Sequence, residues 1–211
     1  MKKTNKILTT ESTNGEPEVS NNEGSDISET TEKKTVKSEY LTEDVDDEGA
    51  LNKLFLDLLK DVYWAEKYLV KKLPVAEEAA TTSLLKKALH EHWLQTKKQV
   101  EKVEQVFESI GEDAVSKKCV AMHGLVEEVE EIIHETDDQT LTRDVGIIIA
   151  AQKVEHYEIA AYGGLAALAQ VLGHKEATKI LLEILEEEKG ADSKLSEIAQ
   201  GKRINAEAAA E

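Results

Sequence analysis

Leu51-Asn52-Lys53-Leu54-Phe55-Leu56-Asp57-Leu58-Leu59-Lys60-Asp61-Val62-Tyr63-Trp64-Ala65-Glu66-Lys67-Tyr68-Leu69-Val70 has the spacing of one long amphipathic helix. At about 100° per residue, Phe55, Leu59, Val62, Leu69, Val70 and the following Leu73 fall within about 60° of one line. Glu66 lies at the centre of that line. A carboxylate in the middle of an apolar stripe is strongly unfavourable if it stays charged and unpaired, so Glu66 requires a partner.

Composition narrows the search. A third of the 211 residues are charged, only two are proline, and aromatic residues make up 4%. Ala, Leu, Glu and Lys dominate, which favours helix over sheet. The formal charge of -17 opposes binding to nucleic acid or to anionic membranes, whose fields would repel it. No apolar run approaches a membrane span, and the basic N-terminus lacks the apolar stretch of a secretory signal. The single cysteine, Cys119, fits a reducing compartment, so a cytoplasmic location is expected.

Residues 1–48 are rich in Thr, Ser, Asn, Glu and Lys and nearly empty of large apolar groups, with acidic residues outnumbering basic ones. Such a segment buries too little apolar surface to offset its ordering entropy and reads as a disordered acidic tail. Residues 49–200 carry four long helical patterns, and 201–211 read as a frayed C-terminal tail. The first pattern runs from about Glu48 to Leu73 and stops near Pro74. The second runs from Thr81 to Ile110, with Leu85, Leu89, Trp93, Thr96, Val100, Val103 and Phe107 on its core line. The third spans Thr142 to Leu172 and the fourth Glu176 to Ala199. A shorter amphipathic piece, Ser116 to Glu135, carries Val120, Met122, Leu125, Val129 and Ile133 on one face. Short links join the first to the second helix and the third to the fourth, which makes each pair an antiparallel hairpin. A long crossover with an extra helix between two hairpins predicts an all-α, ferritin-like four-helix bundle. An up-down bundle with a decorated loop is the other topology this order permits.

The angular count, applied to every long helix, finds further inward polar groups. Glu188 is centred on the fourth apolar stripe, and Asp192 lies about 40° from it. Glu155 is centred on the third, with Glu158 about 60° away. His92 lies about 40° from Thr96 on the second, with Gln99 on the same side. One inward glutamate on a helix is ordinarily a border residue. Carboxylates centred on three helices, with a histidine on the fourth, are harder to explain that way. Their heights along the helices agree as well, so they meet at one level. Gathered there they repel one another unless some are protonated or a cation neutralises them. Carboxylate and imidazole donors suit a pair of iron or manganese ions. The expected metal ligands are Glu66, His92, Glu155, Glu158, Glu188 and Asp192.

Other motifs carry less. Glu131 and His134 have the spacing of a Glu-x-x-His metal motif but point away from the apolar face of the crossover helix. Cys119 reads as a structural thiol inside that helix. Gly163-Gly164, with the alanines around them, reads as a place where helices approach closely. Tyr63 and Tyr162 lie near the candidate ligands in sequence, and packing is the role expected of each. No phosphate-binding glycine loop and no Ser/His/Asp pattern stands out.

Several stretches of the chain resemble the bacterial YciE/YciF family of ferritin-like proteins. They are Ala65-Glu66-Lys67; His90-Glu91-His92 with Thr96 and Gln99; Lys118-Cys119-Val120-Ala121-Met122 with Gly124-Leu125; Ala151 through Ala160 with Tyr162-Gly163; and Leu185-Glu186-Glu187-Glu188-Lys189 with Asp192 and Leu195. The resemblance covers about residues 50–200 and leaves out the acidic tail. It implies a helical homodimer with a carboxylate-rich metal site, linked to bacterial stress responses, and carries Glu66, Glu155, Glu158, Glu188 and Asp192 over as ligands. Family members commonly have acidic residues and a following histidine around the positions of Leu94, Gln95 and Lys97. The uncharged Gln95 bears on whether one of two metal positions is complete. The expected function is therefore a di-metal stress protein that reacts with dioxygen or hydrogen peroxide. The rival is a metal-poor structural or interaction bundle whose inward carboxylates are satisfied by Lys, Tyr and water.

Overall fold

The computed structural model describes residues 49–201 and 204–211. The acidic tail expected over 1–48 lies outside the described residues. Helix α1 spans Ala50–Ala79, α2 Ser83–Ser109, α3 Val120–Glu135, α4 Leu141–Val171 and α5 Lys175–Ser196. A π turn, Glu197–Gly201, and a short α6, Ile204–Ala208, follow. The described residues contain no strand.

Side-chain bonds fix the direction of the long helices. Between α1 and α2, Tyr63 bonds Glu104, Trp93 bonds the Val70 carbonyl and His90 meets Glu77. The numbers fall on one helix as they rise on the other, so the two are antiparallel. Lys102 with Glu187 and Lys194 with Glu91 set α2 and α5 antiparallel in the same way. Gln152 with Ser196 and His156 with Asp192 do so for α4 and α5. It follows that α2 and α4 run the same way, so the chain between Ser109 and Leu141 must return along the helices' length. That return contains α3, which packs on α4 and α1. The Lys117 amide donates to the Lys60 carbonyl on the way.

Local sequence explains the helix ends, with four corrections to the expectations. First, α1 does not stop at Pro74 but continues to Ala79 with Pro74 inside it. Proline removes the amide that would bond the carbonyl four residues back, which is that of Val70. The Trp93 indole of α2 takes over that carbonyl at 3.0 Å. Second, α3 starts at Val120, not Ser116. Cys119 is its N-cap, accepting the Met122 amide at 3.2 Å, and Val120 is exposed. Third, a side chain at Gly163 or Gly164 would meet nothing nearby. The close approach is at Gly146 of α4, where an added Cβ would lie 2.6 Å from the Ile132 side chain of α3. Fourth, residues 204–211, in the stretch expected to fray, make contacts with the rest of the fold. Ile204 is buried, and the Glu211 carboxylate accepts the Leu141 amide at 2.9 Å, where α4 begins. Glu131 and His134 are exposed, as expected.

Two apolar cores result. One gathers Phe55, Leu59, Val62, Val103, Phe107, Leu165, Leu181 and Ile184. The other gathers Leu69, Leu73, Leu85, Leu89, Met122, Ile148, Val154 and Leu195. On α2, α4 and α5 the numbers leave a gap between the two cores, containing His92 with Thr96 and Gln99, Glu155 with Glu158, and Glu188; on α1 the cores change over between Tyr63 and Ala65, next to Glu66. All these polar residues are buried. A polar layer therefore cuts the hydrophobic interior in two.

Trp93→Phe should lower unfolding free energy by about 1–2 kcal/mol, because the Val70 carbonyl loses its only replacement donor. In a Pro74→Ala background, where the backbone amide returns, the loss measured by denaturant unfolding should shrink. Equal losses in both backgrounds would show that the indole acts by packing alone.

Candidate metal centre

Each long helix contributes to the polar layer by the same rule: a position three or four residues from its core neighbours faces inward whatever residue occupies it. The structure brings His92, Glu155, Glu158 and Glu188 together so that one ligand atom of each lies within 4.8 Å of the others. His92 Nε2 is 3.3 Å from Glu155 Oε1 but is not aligned as a hydrogen bond. Glu66 is equally buried and adjoins the four. Its Oε1 accepts the hydroxyl of Tyr162, and its charge acts on Glu155 and Glu158. Asp192 stands apart. Its carboxylate is partly exposed, accepts the Gln152 amide at 3.0 Å, and faces His156 at 3.3 Å.

Two further residues complete the layer. Gln99 donates its amide to Glu188 Oε1 and, at 3.2 Å, to Glu187 Oε2. Tyr162, expected only to pack, is fully buried and hydrogen-bonds Glu66. Its place seven residues after Glu155, on the same helix face, was the available signal. Tyr63 lies outside the layer, bonded to Glu104 at 2.6 Å and edge-on to Phe107.

The layer is short of donors. Glu66 Oε2, both ring nitrogens of His92, Gln99 Oε1, Glu155 Oε2 and Glu188 Oε2 are buried without a hydrogen-bond partner. They are the orphaned side-chain atoms found among the described residues, and all lie in this layer. An unsatisfied buried polar group costs about 1–3 kcal/mol, more when charged, so an apolar fold has no reason to collect six of them. Oxygen donors from carboxylates with one imidazole are the set that divalent iron or manganese accepts. The residues fit such ions.

Burial sets the protonation. It drives the carboxyls of Glu66, Glu155 and Glu158 well above their ordinary range, and the charges of neighbouring carboxylates push the same way. Glu188 is raised less, to about 7, also chiefly by burial. His92 is lowered to about 4 by burial, which leaves its imidazole neutral and available as a donor of electrons. Without a cation the carboxyls hold protons; a divalent ion would take their place.

An all-helical chain with a buried carboxylate–histidine layer has well-defined relatives. The chain belongs to the family described as "Domain of unknown function (DUF892)", whose profile matches residues 50–209. Protein YciF of Escherichia coli K12 is 47% identical over 147 residues, 69% of this chain and 88% of that protein. The crystal structure of the E. coli stress protein YciF aligns with a TM-score of 0.68 at 46% identity, covering 71% of this chain and 94% of that one. YcfI of Rhodopseudomonas palustris aligns with the same score at 40% identity, covering 72% and 96%. The YciF resemblance read from the motifs is thereby borne out. No described helix is long and apolar enough to cross a membrane.

The raised carboxyls predict how metal-free protein responds to pH. A group raised on folding contributes stability that is complete below its unfolded value, 4.5 for Glu188, and lost as pH rises through its folded value, about 7. Glu66, Glu155 and Glu158 act with the same sign. His92 acts oppositely, but only between about 4 and 6.5. Chelator-treated protein should therefore lose at least about 1 kcal/mol of unfolding free energy between about pH 6.5 and 8. Saturation with manganese(II) should remove that loss. A flat profile for the metal-free protein would mean that the layer is already neutralised by other means.

Proposed function

We propose that the chain is a ferritin-like four-helix bundle that holds a pair of iron or manganese ions in its polar layer and serves in a bacterial stress response. The observation that carries this reading is the convergence of six partnerless buried donor atoms on one level of the interior. The antiparallel pairs α1–α2 and α4–α5, joined by a return crossover, support the bundle topology. The stress role rests on the relative whose structure is described as a stress protein.

In this reading His92, Glu155, Glu158 and Glu188 are the inner ligands and Glu66 completes the α1 side. Asp192 takes part from the rim by holding Gln152 and facing His156. Bound iron or manganese would supply Lewis acidity and electrons toward dioxygen or hydrogen peroxide. The chain's own contribution is positioning. Gln99 holds one oxygen of Glu188 and leaves the other free. Tyr162 does the same for Glu66. The apolar cores on either side lower the local dielectric, which strengthens every charge interaction in the layer.

Elemental analysis of protein purified without added metal should find iron plus manganese approaching two ions per chain, the complement of di-metal bundles. Less than about 0.2 per chain, unchanged after reconstitution, would exclude the di-metal reading and leave the structural one. Tyr162→Phe, which keeps the ring and deletes the hydroxyl on Glu66, should weaken metal affinity about tenfold, as loss of a ligand's orienting partner does. Unchanged affinity would remove Tyr162 from the site.

A further inference from the structure

A cleft of about 260 Å³ opens between α2 and α5, and both His92 and Glu155 form part of its lining. Small residues make the gap: Ala88 on α2, and Gly190 and Ala191 on α5. Its outer lining is polar. Glu91, Glu186 and Glu187 stand there, each ion-paired: Glu91 with Lys194 and Lys87, Glu186 with Lys189 and Glu187 with Lys102. The side chain at the inner end is 7% exposed His92, whose two ring nitrogens have no partner. A second recess reaches Glu155 from the α1–α3–α4 side, but it holds about 40 Å³ and is lined mainly by Leu69, Leu73, Leu89, Val126 and Ile147.

The two openings differ in what they can pass. A water's share of liquid volume is about 30 Å³, so the α2–α5 cleft admits a cation with several of its waters. The apolar recess has room for about one water and offers few polar atoms to replace a hydration shell. The carboxylates of the α2–α5 cleft can exchange their lysine partners for an entering cation and replace some of its waters.

We infer that the α2–α5 cleft is the port by which a divalent cation reaches the buried layer, with Glu91, Glu186 and Glu187 as exchangeable contacts along the way and His92 receiving it. This rests on the metal reading above. The Lys194–Glu91 pair lies across the mouth and is exposed enough to exchange with an incoming cation. Exposed pairs of this kind are only weakly held in water, so opening it is easy.

Cobalt(II), followed by its visible absorbance in stopped flow, is the probe. Ala191→Cys places a thiol in the cleft wall; Cys119, 1% exposed, is shielded from reagent. Labelling Ala191→Cys with neutral benzyl methanethiosulfonate should fill the cleft and slow cobalt(II) uptake by about tenfold or more, because the remaining route needs local opening of the fold, without lowering the final amplitude. Dithiothreitol should restore the rate, which separates a plug from a damaged fold. The same label on Val129→Cys, in the apolar recess, should leave uptake unchanged. Uptake unaffected by the Ala191→Cys label, or slowed only by the Val129→Cys label, overturns the port while leaving the metal reading intact. No cobalt(II) uptake by the unsubstituted protein overturns both.

Discussion

Four carboxylates and one imidazole, buried at one level between two apolar cores, set the terms for the rest of the structure. Each long helix gives up core positions to that layer and recovers stability from Leu, Ile, Val and Phe on either side of it. Burying several like charges without a counter-charge is among the least favourable arrangements a fold can adopt. The layer is tolerable in two states only: protonated, or ionised around cations. Burial favours the first state; a bound cation would displace the protons and so link metal binding, protonation and folding stability in one equilibrium.

The helix geometry serves this layer. Antiparallel pairing of α1 with α2, α2 with α5 and α5 with α4 brings the middles of four helices to the same height. The return crossover that this pairing demands also seals the α1–α4 face with α3. There the Cys119 thiol, the Tyr157 hydroxyl and the Asp61 carboxylate form a hydrogen-bonded chain, at 3.0 and 2.8 Å. Burial, helped by the Asp61 carboxylate, raises the Cys119 thiol above its usual range although the Tyr157 hydroxyl opposes it, so the thiol stays protonated and structural. The α2–α5 face has no such cover, and small residues leave it open.

Much of this was legible in the sequence because helix periodicity places a residue on a face whatever its chemistry. The inward direction of Glu66, Glu155, Glu158, Glu188 and His92 needed only a count at about 100° per residue. What escaped was set by partners distant in sequence. Pro74 looked like a stop because proline denies its own helix a hydrogen bond. That the Trp93 indole supplies a substitute depends on α2 docking at that height. Cys119 looked helical because an apolar pattern continues through it, whereas its sulfur caps the helix that follows. Asp192 was close enough to the apolar line to be counted inward, yet Gln152 and His156 hold it at the rim. Residues 201–211 have a composition suited to fraying, but Ile204 packs in the core with Leu85, Met122 and Leu195.

The central claim is that cations, not protons, neutralise the layer in the working protein. Anomalous X-ray diffraction from crystals of protein loaded with iron or manganese, collected at the absorption edge of each metal, tests it at the atoms concerned. The account predicts anomalous peaks within bonding distance of His92, Glu155, Glu158 and Glu188. Peaks confined to the surface carboxylates, with the buried layer empty at saturating metal, would contradict it.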